Sequence, residues 1–485
     1  MSKAVTEPCD LSAVEARRLI GARKLSPVEL LESCLKRTAA TNGAINAVVA
    51  SDEALGRRTA TEMEADVMSG RPLGILHGLP VGVKDLEPVK GLRTTWGSLI
   101  FKDHVPEADG TNVANVREAG ANIFAKTNTP EFGAGANTRN RVYGATGNPF
   151  DTVLTAAGSS GGSAAALAVG QMPLATGSDY GGSLRTPSSY CGIVGFRPSV
   201  GVVPSPDRAA GLVPWGVLGP MGRTVADAYL LFQAQVDENA NDPYSTGTLD
   251  LPERLLPSDL ASLRIAITPD FGQAPVAKNI RAVFADRMRR LASWAGVAEA
   301  THPDYSGLHD IFEVHRGIAF VTQHQDKLAR HRDLLDRNVI DNTERGLQLT
   351  MADVGRGMVE QHKLMQRVNA FFEDWDVLIA PTASVSPFPH AQLFVEEIDG
   401  ERMPTYMRWL ALAYAPTMAL CCACNVPTGR DDKGLPFGIQ VIGPRGSDLR
   451  VLEVAAALEE AFASDPATAR PVPDLARLAG KSKPA

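Results

Sequence analysis

Three glycine- and serine-rich passages contain the residues of this sequence that could carry out chemistry. The first, Gly78–Asp85, places Lys84 at the end of an apolar stretch. A lysine held among apolar groups loses stabilisation of its charge, so its pKa falls and it can act as a base near neutral pH. Taken alone, the passage also fits an exposed lysine at the end of a strand.

The second passage, Ala157–Ser163, leads into a stretch of small residues that is typical of a tightly packed helix. It contains Ser159 and also a Gly-x-Ser-x-Gly sequence centred on Ser160, which in α/β-hydrolases marks the nucleophile. That motif requires a strand immediately before the serine, whereas turn-forming residues 148–152 come before it here. A helix N-terminus that binds an anion is a further interpretation of the same residues.

The third passage, Gly177–Pro187, has two glycines directly before Ser183. Glycines allow the backbone to fold so that several N–H groups point at one spot. Acyl transfer needs such a spot, because the tetrahedral intermediate carries negative charge on the former carbonyl oxygen. Taken alone, the passage is also compatible with a simple glycine-rich turn.

In this order and spacing, the three passages together closely resemble the amidase signature family. Several further segments are similar to the core of that family: 126–132, 147–149, 191–199, 380–382 and 434–443. The resemblance runs from about Leu11 to Phe462 and is sparse between Asp237 and Trp375. It implies amide hydrolysis through an acyl-enzyme, with Ser183 as the nucleophile, Ser159 as a relay serine usually preceded by a cis peptide bond, and Lys84 as the base.

The resemblance also implies an oxyanion hole and residues that support it. The hole would be formed by four backbone N–H groups, those of Tyr180, Gly181, Gly182 and Ser183. Asp179 and Arg185 are expected to brace this loop, and Ser160 to support it by hydrogen bonding. Tyr180 replaces the smaller residue often found at its position, so it either shapes the acyl pocket or packs beneath the loop.

The order of elements predicts an α/β fold. Apolar β-branched runs alternate with helical stretches between residues 73 and 220, which favours a large mixed, mostly parallel central sheet covered by helices on both faces. We expect a single amidase-signature domain over 1–485, with 73–220 as the core that holds the catalytic residues. A helical insertion over 300–375 is expected to line the substrate entrance.

Composition excludes several classes of protein. The net charge is −7 and no cluster of Lys and Arg appears, so no nucleic-acid partner is expected. No secretory signal or membrane-spanning stretch is visible, and six cysteines are too few and too bunched for a disulfide framework. We therefore predict a cytoplasmic enzyme whose partner is a small-molecule amide or carbamate. A homodimer is left open.

Two further patterns suggest metal binding but fit it poorly. Cys421–Cys424 includes a Cys-x-x-Cys spacing, yet no second pair of ligands accompanies it, so buried, inert cysteines are the better interpretation. The histidines of residues 302–362 follow no ligand spacing such as His-Glu-x-x-His. No phosphate loop or dinucleotide motif stands in a proper context. We therefore expect neither a metal nor a cofactor.

The substrate is predicted from the variable flanks of the core. Aromatic side chains with few fixed charges favour an apolar or aromatic substrate, and the expected pocket residues are Phe132, Tyr143, Tyr180 and Trp409. An amidase acting on aryl or alkyl amides is favoured, with carbamate (urethane) cleavage by the same attack as the alternative. A glutamine-using subunit of a tRNA amidotransferase is the rival, although its relatives carry Ser-Leu-Asp-Gln where this sequence has Trp215–Leu218.

Overall fold

The structure, a computed structural model, describes residues 7–245, 247 and 249–480. The strands are, in chain order, β1 Val48–Ser51, β2 Pro80–Lys84, β3 Asn122–Thr127, β4 Arg139–Asn140, β5 Gly144–Ala145, β6 Gly147–Asn148, β7 Asp151–Thr155, β8 Leu174–Asp179, β9 Val194–Arg197, β10 Val217–Gly222, β11 Arg264–Ile267, β12 Val297–Ala300, β13 Val377–Pro381, β14 Glu397–Ile398, β15 Glu401–Arg402, β16 Cys422–Arg430 and β17 Pro436–Gly443.

Thirteen α-helices accompany these strands in the described part of the chain. They are α1 Ala13–Gly21, α2 Pro27–Ile45, α3 Glu53–Ser69, α4 Thr111–Glu118, α5 Gly161–Val169, α6 Arg185–Cys191, α7 Val225–Gln235, α8 Lys278–Leu291, α9 Leu308–His331, α10 Arg337–Leu347, α11 Met351–Phe371, α12 Ala411–Met418 and α13 Asp448–Ala463.

Eleven strands form one mixed sheet in the order β1-β3-β2-β8-β10-β9-β16-β17-β13-β11-β12. The prediction of a large mixed sheet is confirmed, but the expectation that it is mostly parallel is wrong. Parallel pairing is confined to β3-β2-β8 and to β13-β11-β12, and every other neighbouring pair is antiparallel. One cause is the short turn between β16 and β17, since a connection of that length joins only antiparallel strands.

Helices cover both faces of the sheet, as the sequence predicts. Successive side chains of a strand point to opposite faces, and β3 shows the result. Ile123 packs in an apolar cluster with residues of α1, α4 and α7, whereas Phe124 packs with residues of α2, α3 and α5. The two clusters are separate parts of the core, so β3 is packed against apolar side chains on both faces of the sheet.

The segment in which the sequence predicts a helical insertion contains α9, α10 and α11. A smaller expectation needs correction: residues Met418–Ala423 are not one strand, because α12 ends at Met418 and β16 begins at Cys422. The cysteines there are buried and free, which agrees with their interpretation as core residues.

The register of β2 and β8 determines where the reactive groups meet. The two strands are parallel neighbours, with Val81 opposite Leu174 and Gly82 opposite Ala175. Their carboxyl ends therefore lie side by side at one edge of the sheet. Lys84 ends β2 and Asp179 ends β8, so the first and third chemical passages of the sequence come together there.

Candidate active site

Lys84 is completely buried and its amine contacts three serine hydroxyls. The Nζ atom lies 2.7 Å from Ser159 Oγ, 2.8 Å from Ser160 Oγ and 2.9 Å from Ser178 Oγ. The sequence predicted the contact with Ser159, assigned Ser160 to the support of the oxyanion loop, and missed Ser178. Alternation along β8 was the available signal, because Thr176 and Ser178 point to the same face of the strand and Thr176 Oγ1 accepts a hydrogen bond from the Lys84 N–H at 3.1 Å.

Burial lowers the pKa of Lys84 to about 7, while the charges of Glu87 and Asp179 act in the opposite direction. Water stabilises an ammonium ion much better than an apolar interior does, so desolvation favours the neutral amine. A substantial fraction of Lys84 is consequently unprotonated at neutral pH. A neutral amine has a lone pair, and it can accept a proton from a hydroxyl that contacts it.

The loop before α5 brings Ser159 and Ser160 to the lysine. Helix α5 approaches β3 closely, since a Cβ added at Gly162 would lie 2.2 Å from the Asn128 nitrogen, so only glycine fits there. The peptide bond between Gly158 and Ser159 is cis. The backbone N–H of Ser160 donates to the carbonyl oxygen of Ser183 at 3.3 Å, which connects this loop directly to the third passage.

Asp179 organises the loop that follows β8. Its carboxylate accepts hydrogen bonds from the N–H groups of Gly182, at 2.9 Å, and Leu184, at 3.2 Å. It also forms buried ion pairs with Arg185 at 3.0 Å and Arg197 at 3.3 Å. Burial alone would raise the pKa of Asp179, but the two guanidinium groups outweigh that effect and lower it to about 2. The loop is thus built around a permanent negative charge.

The loop ends at the half-buried Ser183, close to backbone N–H groups that have no acceptor among the described residues. The Ser183 hydroxyl has no hydrogen-bond partner within the described residues. The backbone N–H groups of Tyr180, Gly181 and Ser183 likewise have no acceptor there. Gly182 differs from the expectation, because its N–H is already bound to Asp179. Gly182 has φ of +103°, and a Cβ at this position would lie 2.4 Å from Ala413 Cβ.

A cavity of about 310 Å³ opens beside the loop, between β8, residues 204–218 and α9. Its apolar wall includes Leu86, Tyr180, Val213 and Ala319. A Cβ added at Gly133 would lie 3.0 Å from Leu86 Cδ1 and 3.3 Å from Ser159 Oγ. Gly133 thus lies between Leu86 of the cavity wall and Ser159. Of the three serines around Lys84, Ser178 lines the cavity, whereas Ser159 and Ser160 do not.

Of the four expected pocket residues, only Tyr180 lines this cavity among the residues described. Its hydroxyl donates to the carbonyl oxygen of His315 at 3.0 Å, so the side chain both shapes the cavity and fixes the loop to α9. Phe132 packs against His324 with the two rings tilted, at 4.8 Å between ring centroids. Tyr143 lies beneath Arg93, and Trp409 is buried edge-on against Phe388.

Sequence reasoning also missed two charged groups close to the site. Arg197 donates to the carbonyl oxygen of Asp179 at 2.6 Å, and Glu87 is buried with its carboxyl group bound by Asn112 at 2.6 Å and by Thr176 at 2.5 Å. No signal in the sequence pointed to either role, because their partners lie on other strands and helices. In the described ranges no group of His, Cys, Asp and Glu is arranged to hold a metal ion.

No helix of the described chain combines the length and apolar character needed to cross a membrane.

Comparisons with known proteins place the chain among amidases. The family model described as Amidase matches residues 29–452. An acylamidase from Rhodococcus erythropolis is 33% identical over 453 residues, which cover 93% of this chain and 95% of that protein. A glutamyl-tRNA(Gln) amidotransferase subunit from Halalkalibacterium halodurans is 31% identical over 490 residues, which cover 95% of this chain and 99% of that protein.

A crystal structure of a bacterial aryl acylamidase of the amidase signature family matches the fold with a TM-score of 0.86 at 28% identity, covering 93% of this chain and 96% of the other. Fold, site and sequence together define an amide-hydrolysing enzyme. The chain belongs to the amidase signature family.

Proposed function

We propose that this enzyme hydrolyses aryl or alkyl amides through a serine acyl-enzyme, with Ser183 as nucleophile, Ser159 as relay and Lys84 as base. The observation that carries the proposal is the buried Lys84 amine, whose pKa falls to about 7 and which contacts three serine hydroxyls. A neutral amine has two N–H donors and one lone pair. With three hydroxyl neighbours it donates to two of them and accepts from the third.

Two contacts support Ser159 as the hydroxyl that gives up its proton. The Ser160 hydroxyl is turned toward β8, where it accepts the backbone N–H of Ser178 at 3.3 Å. The Ser159 hydroxyl has no such contact with β8 and lies near Gly133 instead. In the proposed reaction Ser159 passes its proton to Lys84 and takes the proton of Ser183 as that serine attacks the carbonyl carbon. The reverse transfer protonates the departing amine.

The oxyanion hole that we propose differs from the one expected from sequence. The N–H groups of Tyr180, Gly181 and Ser183 supply the donors, whereas Gly182 contributes its conformation and its hydrogen bond to Asp179. The charge on Asp179 holds the loop in place, so the donors need no rearrangement when negative charge develops on the substrate oxygen.

The lining of the cavity and the relatives support the substrate class. The cavity presents an apolar surface beside the loop that leads to Ser183, which suits an aryl or alkyl group; Leu86, Tyr180, Val213 and Ala319 form it. Relatives that are an acylamidase and an aryl acylamidase act on the same kind of bond. The amidotransferase subunits are also similar, so that function is the second candidate.

A panel of para-nitroanilides, primary amides and para-nitrophenyl carbamates, compared by kcat/KM, tests the proposal. The isolated enzyme is expected to cleave simple anilides without glutamine or ATP. Activity only with glutamine and a partner complex would instead indicate the amidotransferase function. If the carbamates are cleaved with a higher kcat/KM than the matched anilides, urethane cleavage is the main activity.

The pH dependence of kcat/KM should show an acidic limb with an apparent pKa of about 7. Protonation of Lys84 removes the base, so activity should fall about tenfold for each pH unit below that value. The measurement uses a neutral anilide between about pH 5.5 and 9. Burial also raises the pKa of Glu131 to about 7, so Glu131→Gln is the matched control and should retain the limb. If the acidic limb disappears in Glu131→Gln, the limb reports the titration of Glu131 and not that of Lys84.

Replacing the two adjacent serines should have unequal effects. We expect Ser159→Ala to lower kcat by about 10²- to 10⁴-fold, the range typical of general acid–base groups, because the proton path from Ser183 to Lys84 is interrupted. Ser160→Ala, its matched control, should lose at least tenfold less, since it removes hydrogen bonds to Lys84 and to the Ser178 backbone but leaves the proposed proton path intact. A larger loss from Ser160→Ala would reverse the two roles.

A further inference from the structure

Arg316 of α9 is a buried cation without a carboxylate partner. It is only 6% exposed, and none of the ion pairs formed by the described residues includes it. Its Nε donates to Asn342 Oδ1 at 3.1 Å and its Nη2 to the Tyr406 hydroxyl at 2.5 Å. A guanidinium has about five N–H donors, and those on Nη1 have no acceptor in the described chain.

Aromatic rings surround this guanidinium. Its Cζ lies 4.1 Å from the centre of the Phe320 ring, 5.3 Å from that of Tyr180 and 6.0 Å from that of Tyr406. Ring faces attract a cation but do not neutralise it. His324, two turns further along α9, carries no charge at neutral pH, because burial and the nearby Lys327 and Arg316 lower its pKa to about 3. Glu313, one turn before Arg316 on α9, accepts a hydrogen bond from the Thr405 hydroxyl at 2.9 Å and forms no ion pair with Arg316 among the described residues.

The position of Arg316 relates it to the proposed active site. Tyr180, which its guanidinium covers, belongs to the proposed oxyanion loop and lines the cavity. Helix α9 contributes Ala319, Thr322 and Gln323 to the same cavity. Arg316 itself is not a lining residue; it lies one turn before Ala319 and packs against the Tyr180 ring. A buried charge with unused donors at the border of a substrate cavity is unfavourable for the empty protein and favourable for an anionic ligand.

We propose that Arg316 binds a carboxylate group of the substrate. The preferred substrates would then be amides that combine an apolar or aromatic body, which suits the cavity, with one carboxylate. Guanidinium and carboxylate are geometrically matched, since two N–H groups can donate to the two oxygens at once. This inference rests on the proposed amidase function and narrows its substrate class. The carboxylate could belong to the acyl part or to the amine part of the amide.

Two pairs of substrates test the proposal on the wild-type enzyme and distinguish these two positions. On the acyl side, the para-nitroanilide of succinate is compared with that of pentanoate, which has a chain of similar length and no charge. On the amine side, para-acetamidobenzoate is compared with para-methylacetanilide. We expect kcat/KM to be at least tenfold higher for the carboxylate in one of the pairs. Equal or lower values for the carboxylate in both pairs would overturn the proposal.

Variants then assign the preference to Arg316. Arg316→Met removes the charge at similar length and should lower kcat/KM for the preferred carboxylate at least tenfold more than for its neutral partner. Arg316→Lys keeps the charge without the fork geometry and should lose part of the preference, mainly through KM. Arg330, exposed on the same helix, gives the matched control Arg330→Met, which should keep the wild-type preference. An unchanged preference in Arg316→Met would overturn the proposal.

Binding without turnover separates this inference from the proposed function. Benzoate, titrated calorimetrically into the Ser183→Ala variant, should bind at least tenfold more tightly than benzyl alcohol, and the added Arg316→Met change should remove that difference. Equal affinity for the two compounds would count against the carboxylate site. Selective benzoate binding by an enzyme that cleaves no anilide would retain the site and reject the amidase substrate class.

Discussion

Ser183→Ala should lower kcat for anilide hydrolysis by at least about 10⁴-fold, because removal of a catalytic nucleophile leaves only binding and oxyanion stabilisation. The protein should remain folded. Ser183 is half-buried, and its hydroxyl has no hydrogen-bond partner within the described residues, so its loss removes little from the native state. The change in the free energy of unfolding is expected to stay within about 0.5 kcal/mol, as for most such substitutions.

Initial rates with a chromogenic anilide and urea unfolding curves measure the two parts of this prediction. Ser258 is also half-buried and gives the matched control Ser258→Ala, which should keep wild-type rates. Mass spectrometry after rapid quenching should detect an acyl group on the wild-type enzyme and none on Ser183→Ala. Activity of Ser183→Ala near that of the wild type would show that another group attacks the substrate.

Lys84→Met should lower kcat by about 10²- to 10⁴-fold and at the same time change how stability depends on pH. In the unfolded chain the lysine has a pKa near its ordinary value of 10.5, whereas in the folded protein it is about 7. The folded state therefore binds fewer protons between these two values, and the wild-type free energy of unfolding gains a contribution that rises with pH. Below about pH 7 the buried lysine destabilises the fold by about 5 kcal/mol.

The stability difference between Lys84→Met and the wild type isolates this effect, because the two proteins share all other titrating groups. The advantage of the methionine variant should shrink by about 1.4 kcal/mol for each pH unit between about 7 and 10. Urea unfolding at three pH values in this range measures it. Lys36, which is exposed, provides the control Lys36→Met and should show no such trend. A difference that stays constant with pH would mean that the pKa of Lys84 is not depressed.

The local sequence was sufficient for part of the fold. Apolar runs followed by glycine or a polar residue correctly predicted several strands of the sheet, including Val81–Val83 within β2 and Gly438–Ile442 within β17. Strand direction was not predictable in the same way. The parallel pairs β2-β3 and β2-β8 are typical of the alternation of strands and helices that the sequence shows. The antiparallel pairing of β10 with β8 instead depends on which strand edges the rest of the fold leaves unpaired.

The residues of the substrate pocket could likewise be predicted from the sequence only in part. Tyr180 was predictable because it stands beside the proposed nucleophile along the chain. Tyr143 and Trp409 were chosen for aromatic character in a variable region, yet each packs against another side chain away from the cavity lining. Residues 204–218 and α9 form much of the cavity instead. Their contribution depends on long-range packing, for which neither spacing nor composition gives a signal.

For the reactive lysine and serines, sequence and tertiary structure made separate contributions. The sequence alone determined which residues could act, since a lysine ending an apolar strand and two serines in glycine-rich passages appear in a distinctive order. Only the tertiary structure decided the state of Lys84: burial lowers its pKa to about 7, and three hydroxyls from one loop and one strand surround its amine. Desolvation depends on atoms from the whole fold, so a lysine at a strand end becomes a base only when the fold encloses it.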